Sequence, residues 1–429
     1  MANNVSKNVS TKVLDVFTES FEASRVITKT VTNQKISEEF AGAKYGDTIY
    51  VKRPHDYVSV ETAGGDISAA TPSDIISGVA PAVAQNYITV EIPWTNREEA
   101  LYLNQMKEII APAAERVCLT LESNLVTYMG KNAGLHRGTV GNAVSTWAAV
   151  ADTYALASSI GVPETGNFYA AMNPFAISGL ANATNGLQSG SDSLVDTAWK
   201  KAQISRDFAG VQAFSARTLK GMQVGADGSK AGLTIKTTPD QTYVTAKDTM
   251  QQTIVLTGFT ASQANAVRAG DTIKVTQAGK FRTNIKTRDI AYDNSGALPI
   301  YLKVLTGGNA TAGGDVTVVV SNAAIYEANG QYNNISAALA AADTIQLLGT
   351  ANAYVQPSLM YHEKAFGVGY VDLPKLAGWE SSIIQMGDGI VVRVTKYSDA
   401  RANTQKMRFD ILPVFATYNP MFAGTFYGV

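Results

Sequence analysis

The sequence predicts an α+β protein that carries an inserted all-β module. One observation is a long stripe of apolar residues at helical spacing over about 112–132. A second is a dense series of short β-type segments over 222–349, with mixed segments on both sides of it. With 429 residues, 45% of them hydrophobic and 17% charged, the chain can bury more than one core. We therefore expect two to three domains.

The first forty residues predict a short amphipathic helix that docks on its own chain or on a neighbour. Ser10 or Thr11 would cap its amino end. Its apolar positions at helical spacing are Val13, Leu14, Phe17 and Phe21.

Two β-type segments then enclose a long excursion. "DTIYVKRP" and "NYITVEIPW" are rich in β-branched and aromatic residues and predict strands. The segment between them, "ETAGGDISAATPSDIISGVAPAVAQ", is rich in Gly, Ala, Ser and Pro and poor in large core residues. Loops of that length are usually functional or are ordered by a partner.

The pattern changes to helical after the second strand. Thr95 and Glu98 have capping-box spacing. Pro112 either kinks this helix or opens a second one, which would end near Gly134. The apolar stripe of the second helix is Ala113, Val117, Leu121, Leu125 and Met129.

Residues 146–220 alternate between helix and strand, which is typical of α+β or α/β structure. "STWAAVADTYALASSIGVP" and "LVDTAWKKAQI" predict helices, "NFYAAMNPFAISGLANA" a strand followed by a helix, and "RDFAGVQAFSART" a strand. Residues 351–429 are rich in strand patterns, and "QKMRFDILPVFATYNPMF" predicts one long C-terminal strand.

The central module predicts a β-sandwich or a small barrel. The glycine-rich "GGNATAGGD" at 307–315 predicts a hairpin loop, because it has no lysine and no helix follows it. The strand candidates are "GLTIKTT", "QTIVLTGF", "DTIKV", "IYLKVLTG", "GDVTVVVS" and "DTIQLLG".

One short motif recurs as "GDTI" at 46–49 and 270–273 and as "ADTI" at 342–345. The flanking sequences do not match, so the motif is no repeat unit, and a strand rather than a helix follows each copy. We expect a tight turn in which the aspartate accepts hydrogen bonds from nearby amides before a strand begins.

The sequence contains no catalytic, phosphate-binding or metal-binding signature, and we expect neither enzymatic activity nor a cofactor. Its net charge of −1 gives no basic excess for nucleic-acid recognition. The single cysteine, Cys118, predicts a buried side chain in a reducing compartment. The start of the sequence lacks a signal-peptide pattern, and no apolar run predicts a membrane span.

The order of these parts resembles the major capsid (coat) protein of tailed bacteriophages, with the Hong-Kong-ninety-seven-type fold. The inserted module makes the chain similar to the coat proteins of short-tailed phages such as Salmonella phage P-twenty-two, and most similar to its Shigella-phage relatives. The segments that carry the resemblance are "GDTIYVKRPHDYVSVETAGGDIS", "NYITVEIPWTNREEALYLNQMKEIIAPAAERV", "NATNGLQSGSDSLVDTAWKKAQI" and "NTQKMRFDILPVFATYNPMFAGTFYG".

The resemblance implies a division into five parts and places the start of a spine helix at Pro112. The implied parts are an N-terminal arm (1–44), an E-loop (45–93), a peripheral domain with the spine helix (94–139 and 406–429), an axial domain (140–221 and 350–405) and an inserted all-β domain (222–349).

The resemblance also implies a mechanical function. Copies of the chain would form hexamers and pentamers of an icosahedral shell, with a scaffolding protein and a portal protein as partners and no membrane. The shell would enclose double-stranded DNA without sequence-specific binding and expand during packaging. Synthesis would occur in the bacterial host cytoplasm. The candidate intersubunit contacts, which include the basic pair in "VKRPH" and the polar loop "TPDQTYVTAKDT", are Lys52, Arg53, Asp66, Asp240, Lys247 and Asp248.

Three other functions remain open from the sequence alone. A shell protein of a bacterial cargo compartment would share the fold and differ in what it encloses. A β-rich adhesin or fibre subunit would fit the inserted module, although the absence of a signal-peptide pattern counts against it. An enzyme with a β accessory domain would require a pocket with convergent polar groups, and no motif points to one.

Overall fold

The computed structural model describes residues 16–32, 48–68, 73–95, 106–183, 210–386, 389–399 and 404–428. The chain divides into two compact units. Unit 1 comprises 1–51, 82–126 and 366–416, and unit 2 comprises 52–81, 127–365 and 417–429. Within the described ranges, no helix is both long enough and apolar enough to cross a membrane.

The described helices confirm most of the helical predictions. The predicted capping box at Glu98 and the helix predicted over "LVDTAWKKAQI" lie outside the described residues. The helices are α1 (16–24), a 3-10 turn (Ile27–Lys29), α2 (Met106–Asn132), α3 (Trp147–Ile160), α4 (Pro174–Ala183), the short α5 (Tyr243–Ala246) and a second 3-10 turn (Pro420–Phe422).

Strands occupy both units, and the mixture of helix and sheet confirms the α+β prediction. The first strands are β1 (Thr48–Lys52), β2 (Val79–Ala84), β3 (Ile88–Thr95), β4 (Leu135–Arg137), β5 (Phe168–Met172), β6 (Val211–Ser215), β7 (Met222–Gln223), β8 (Leu233–Ile235), β9 (Gln252–Thr257), β10 (Thr272–Val275), β11 (Tyr292–Asp293) and β12 (Gly296–Ala297). The remaining strands are β13 (Tyr301–Thr306), β14 (Val316–Val320), β15 (Thr344–Leu347), β16 (Tyr354–Val355), β17 (Ser358–His362), β18 (Phe366–Tyr370), β19 (Glu380–Gln385), β20 (Val391–Asp399), β21 (Thr404–Ile411), β22 (Pro413–Thr417) and β23 (Ala423–Phe426).

Unit 1 contains an antiparallel sheet with the strand order β19-β20-β21-β3. In this sheet Arg393 lies opposite Asp410. The Arg393 Nη2 atom lies 2.7 Å from Asp410 Oδ2, and the Asp410 side chain is fully buried. Arg408 Nε and Thr89 Oγ1 donate to the other carboxylate oxygen at 2.6 and 2.7 Å. The buried carboxylate therefore has donors on both oxygens.

The predicted amino-terminal helix docks on its own chain. Phe17 and Phe21 of α1 are completely buried. The Phe17 ring stacks on Phe409 with 4.6 Å between ring centroids. The turn after α1 is held by Glu122 of α2, whose Oε1 atom accepts hydrogen bonds from the backbone N–H groups of Val26 and Ile27.

Helix α2 corrects the prediction that the spine helix starts at Pro112. The helix runs without interruption over Met106–Asn132, with Pro112 inside it. Proline removes one backbone donor and leaves the carbonyl of residue 108 without its helical partner. Glu108 and Pro112 are exposed, so water can satisfy that carbonyl. The residues of the predicted apolar stripe are all buried: Ala113, Val117, Leu121, Leu125 and Met129.

Cys118 is fully buried in the same helix, as predicted. Burial raises the pKa of its thiol to about 12, because the thiolate would lose its hydration. The side chain therefore acts as a small apolar group on the buried face of α2.

The predicted single C-terminal strand is wrong. The segment forms β21, β22 and β23, which belong to three different sheets. The break between the first two falls at Leu412–Pro413, where proline has no backbone N–H to continue the ladder of β21. A turn at Asn419, which accepts a hydrogen bond from the Met421 N–H, separates β22 from β23.

Unit 2 contains a closed six-stranded barrel with the strand order β10-β13-β14-β9-β8-β15. All six strands predicted for the module are present, and the module is a barrel rather than a sandwich. Alternate residues fill its interior, as in β14, where Val316, Val318 and Val320 are buried. Residues 307–315 connect the antiparallel strands β13 and β14, which confirms the predicted hairpin loop.

The two described copies of the recurring motif have the predicted turn chemistry. Asp271 Oδ2 accepts a hydrogen bond from the Arg268 N–H at 2.7 Å, and Asp343 Oδ2 accepts one from the Ala340 N–H at 2.7 Å. The preceding residues, Gly270 and Ala342, both have positive φ angles, of 97° and 69°. A barrel strand follows each aspartate. In the first copy, Gly46 and Asp47 lie outside the described residues, and Thr48 begins β1.

The burial of Asp271 predicts a pH dependence of barrel stability. Burial raises the pKa of Asp271 to about 6, against the opposing effect of hydrogen bonds from the Arg268 and Gly225 N–H groups and of the Lys303 ammonium. Between pH 4 and pH 6 the folded state holds a proton that the unfolded chain has released. The free energy of unfolding should therefore fall as the pH rises through this window, by on the order of 1–3 kcal/mol.

Asp271→Asn should remove that contribution. Urea midpoints of the barrel strands at pH 4, 5 and 6, measured by pulsed hydrogen exchange on the full chain, provide the test. Identical pH profiles for the original and variant chains would contradict the assignment to Asp271.

The rest of unit 2 is built on a five-stranded sheet with the order β4-β23-β17-β5-β6. Its core includes buried residues of α3, such as Val150 and Ala157. The strands that enter and leave the barrel segment pair with each other, because Gln223 lies opposite Tyr354 and Met222 opposite Val355 in the β7–β16 ladder. This ladder is called the neck below.

Candidate assembly surface

The predicted E-loop contains two parts with different surroundings. The stem comprises residues 52–56 and 73–81, and the tip comprises residues 57–68; both belong to unit 2. Every residue of the tip is exposed. Several residues of the stem are buried or partly buried, including Arg53, Asp56 and Gly78. The two arms of the stem are joined by a hydrogen bond from the Arg53 N–H to the Gly78 carbonyl at 2.9 Å.

The tip presents apolar side chains to solvent. Tyr57 and Ile67 are 57% and 62% exposed, and Val58 and Val60 are also exposed. Asp66 forms a local turn, in which its Oδ1 atom accepts a hydrogen bond from the Ser68 N–H at 2.9 Å. That hydrogen bond lowers the pKa of Asp66. Apolar residues grouped on an exposed loop are typical of a protein contact surface.

Arg53 is the main polar anchor of the stem. Its guanidinium donates to the carbonyl oxygens of Val79 at 3.3 Å, Asp248 at 3.1 Å and Thr417 at 3.4 Å, and also to that of Tyr418. Burial lowers the pKa of Arg53 to about 10. The group remains cationic at neutral pH, so its hydrogen bonds to these carbonyls are charge-assisted.

The second arm of the stem packs closely on the segment around α5. Asp248 Oδ1 accepts a hydrogen bond from the Val79 N–H at 3.2 Å. A Cβ atom on Gly78 would lie 2.7 Å from the Lys247 carbonyl oxygen and 3.0 Å from the Tyr243 hydroxyl. Only glycine allows this approach without displacing the backbone.

An apolar contact lies beside these polar ones. Ile76 packs against a small cluster that also includes Tyr332. The Tyr332 and Tyr243 rings are stacked, with 3.6 Å between centroids and 12° between planes. The buried members of the cluster are Tyr243, Ala246, Met250, Ala323 and Ile325. Ile75, which precedes Ile76 in the sequence, is 74% exposed.

An ion pair completes the attachment of the stem. The Asp56 carboxylate lies 2.8 Å from Arg288 Nη2 and 3.4 Å from Lys286 Nζ. Gln331 Nε2 donates to the Asp74 carbonyl at 2.6 Å. The segments 284–290 and 331–332 connect barrel strands, so the barrel side of unit 2 contacts both arms of the stem.

The comparisons with known proteins identify the family. Residues 1–428 match the family model described as "P22 coat protein - gene protein 5". This chain belongs to the P22 coat protein family. The resemblance drawn from the sequence is therefore confirmed. The major capsid protein of Acyrthosiphon pisum secondary endosymbiont phage 1 is 39% identical over 430 residues, which cover 100% of each chain.

Solved structures align with this coat protein at low similarity. The structure titled "Mycobacterium phage Che8" has 8% identity and a TM-score of 0.42, and the match covers 94% of this chain and 90% of the other. The virus-like particle from Pyrococcus furiosus has 9% identity and a TM-score of 0.39, with coverage of 97% and 98%.

The coat protein brings together some of the residues singled out from the sequence. Arg53 and Asp248 meet at the stem, and the Lys247 carbonyl lies beside them. Lys52 is exposed at the end of β1. Asp240 is exposed before α5, where its carboxylate accepts hydrogen bonds from Thr242 and Thr245. These hydrogen bonds lower the pKa of Asp240.

The sequence analysis missed Asp56, Ile76, Gly78, Arg288 and Tyr332 as contact residues. Their partners lie far away along the chain, for example 232 residues between Asp56 and Arg288. The only local signal was the pair of bulky residues Ile75 and Ile76 in a segment otherwise rich in small ones. Among the described residues, no group of three or more His, Cys, Asp or Glu side chains could hold a metal ion.

Proposed function

We propose that this coat protein forms the wall of an icosahedral phage capsid, as hexamers and pentamers of the same chain. The observation that carries the proposal is the family match over residues 1–428, together with a phage major capsid protein that aligns with the whole chain. The exposed apolar tip of the E-loop supports it, because assembly would bury these side chains against a second copy.

The proposal includes the partners of assembly. A scaffolding protein would guide a precursor shell and a portal protein would occupy one vertex. The shell would enclose double-stranded DNA without reading its sequence, and it would expand during packaging. The net charge of −1 supports enclosure without tight DNA binding, since sequence-independent DNA binding requires an excess of Lys and Arg. We further propose synthesis in the bacterial host cytoplasm and a purely structural, non-enzymatic role.

The five-part division also remains a proposal: N-terminal arm 1–44, E-loop 45–93, peripheral domain 94–139 and 406–429, axial domain 140–221 and 350–405, and inserted domain 222–349. The closed barrel, from Leu233 in β8 to Leu347 in β15, supports the inserted domain.

We propose that Lys52, Asp66, Asp240 and Lys247 contact neighbouring subunits. Arg53 and Asp248 have partners within their own chain and would act by positioning the E-loop.

Co-expression with the scaffolding protein tests the function. We expect closed shells of uniform size in electron micrographs of the purified product. Subunits that remain monomeric under every assembly condition, with scaffolding protein present, would contradict the proposal.

A variant of the tip tests which surface is used. The Val58 N–H lies 3.0 Å from Ser73 Oγ, so residues 59–72 can be replaced by a Gly-Gly turn without stretching the stem. We expect the subunit to keep its hydrogen-exchange pattern while the yield of closed shells falls at least tenfold. Shells formed with the original yield would show that the tip is dispensable.

A further inference from the structure

We infer that the inserted barrel holds the E-loop stem in place within the unassembled subunit and thereby fixes where the tip is presented. We call this attachment of the stem to the barrel side of unit 2 the bracket. The contacts that support this inference lie within unit 2 and involve three separate segments that flank barrel strands.

The attachment is distributed over both arms of the stem. On the first arm, Arg53 donates to the Asp248 carbonyl, and Asp56 pairs with Arg288. On the second arm, Ile76 packs into the apolar cluster and the Val79 N–H bonds to Asp248. A loop held at only one arm could swing about that point, whereas contacts on both arms define its direction.

The attachment combines hydrogen bonds, an ion pair and apolar packing. Because hydrogen bonds are directional, this combination favours a defined geometry over a loose hydrophobic contact. Gly78 lies so close to the Lys247 carbonyl that no side chain fits between the two segments. Arg288 also donates to the Asn333 carbonyl at 2.8 Å and to the Gln331 carbonyl. The group that pairs with Asp56 is thus itself fixed by the barrel's own loop.

The exposed tip is the part of the E-loop that a second copy would bind. Its residues 57–68 are all exposed, so the bracket leaves the tip uncovered. A second copy that binds the tip would meet a loop whose direction is already set, which lowers the ordering entropy lost on binding. This consequence for assembly rests on the proposed function, whereas the docking of the stem does not.

Two adjacent isoleucines provide a matched pair of variants. Ile76 packs on the barrel-side cluster, and Ile75 is 74% exposed. Hydrogen exchange of the full-length, unassembled subunit, measured by mass spectrometry, would report on the amides of Arg53, Asp56, Val58 and Val79, which donate hydrogen bonds at the stem or its junction with the tip.

We expect Ile76→Ser to accelerate exchange in peptides covering 53–58 and 73–79 at least tenfold, while Ile75→Ser leaves them unchanged. Exchange in the barrel strands β9, β13 and β14 should stay at the original rate in both variants. Asp56→Asn is a second, milder variant that removes the ion pair without touching the apolar cluster, and we expect about a threefold or larger acceleration in the same peptides.

Three outcomes would overturn the inference: no protection of the stem in the original subunit, unchanged exchange in Ile76→Ser, or an equal effect of Ile75→Ser. If Ile76→Ser unfolds the barrel, Asp56→Asn decides, and unchanged exchange in that variant overturns the inference. Hydrogen exchange of the unassembled subunit does not depend on shell formation. The experiment can therefore refute the docking of the stem without refuting the capsid function, and the reverse.

Discussion

Asp410→Asn is expected to lower the free energy of unfolding of the β19-β20-β21-β3 sheet by about 3–5 kcal/mol, because it leaves the buried Arg393 guanidinium without its counter-charge. Burial alone would raise the pKa of Asp410, but hydrogen bonds from Thr89, Arg408 and Arg393 outweigh it and the pKa lies below its ordinary value. The carboxylate is therefore charged at neutral pH. Its stabilising contribution should be lost as the pH falls through the folded-state pKa.

The same sheet supplies a matched control. Lys406 Nζ lies 2.9 Å from Glu91 Oε1, and both side chains are more than a third exposed. Glu91→Gln should cost less than about 1 kcal/mol, because water already solvates both charges. Urea unfolding followed by pulsed hydrogen exchange in β20 and β21 compares the two variants directly. Equal losses for the two would contradict the view that burial makes the Arg393–Asp410 pair critical.

A double variant separates the cost of a broken pair from the value of the intact pair. Arg393→Met with Asp410→Leu replaces both charged side chains by apolar ones. We expect it to be more stable than Asp410→Asn, since no buried charge is left unpaired. Stability equal to or below that of Asp410→Asn would indicate that the ion pair itself contributes net stability.

Glu122→Ala is expected to cost about 2–4 kcal/mol and to release the amino-terminal segment from α2. The substitution removes the acceptor of the buried Ile27 N–H group, which costs about 1–3 kcal/mol, and also that of the part-buried Val26 N–H group. Amide exchange at Val26 and Ile27, together with proteolysis within 16–32, measures the release. Glu115 lies on an exposed position of the same helix, so Glu115→Ala should change stability by less than about 0.5 kcal/mol.

Glu122→Gln distinguishes the acceptor from the charge. Burial raises the pKa of Glu122, against hydrogen bonds from the Val26, Ile27 and Thr28 N–H groups. Burial therefore disfavours the charged form. As the pH rises through the folded-state pKa, the free energy of unfolding should fall, because the folded state must then give up a proton that it holds more tightly than the unfolded chain does. Glutamine keeps an acceptor oxygen and should retain most of the stability at neutral pH. Release as complete as in Glu122→Ala would show that the charge is essential.

The periodic elements were predictable from the sequence because their pattern is local. The apolar stripe of α2 repeats every three to four residues, and its burial follows from that spacing. The barrel strands have the alternation of buried and more exposed residues that is typical of a half-buried sheet, as Val316, Val318 and Val320 show. The motif aspartates Asp271 and Asp343 were predictable for the same reason, because their acceptor role involves residues three positions away.

The boundaries that failed depend on tertiary context. Pro112 is compatible with the middle of α2 because the carbonyl it releases is on an exposed face, and exposure cannot be inferred from the proline itself. Strand β2 was missed because its buried positions, Ala80 and Ala82, are small residues that resemble a loop. The break at Pro413 depends on which sheet the next strand joins, and this is decided by long-range pairing.

The candidate surface was predictable only in outline. The composition of the excursion indicated a loop that needs a partner, but it could not indicate that part of the partner is the chain's own barrel. Arg53 and Tyr418 are separated by 365 residues, and Ile76 packs on a cluster whose members lie far from it along the chain. Sequence patterns report which residues share a face, whereas such docking depends on complementary shapes formed by the whole unit.

The neck has an evolutionary consequence. Because β7 and β16 pair with each other, the barrel begins and ends at one place, and its length is not constrained by the rest of the polypeptide. A gene segment with this property can be acquired or exchanged between lineages in a single recombination event. The stem adds a condition to such an exchange. A replacement module must also carry an arginine that pairs with Asp56, as Arg288 does, and an apolar cluster against which Ile76 can pack. Coevolution between the module and the loop is therefore expected even though they are encoded far apart.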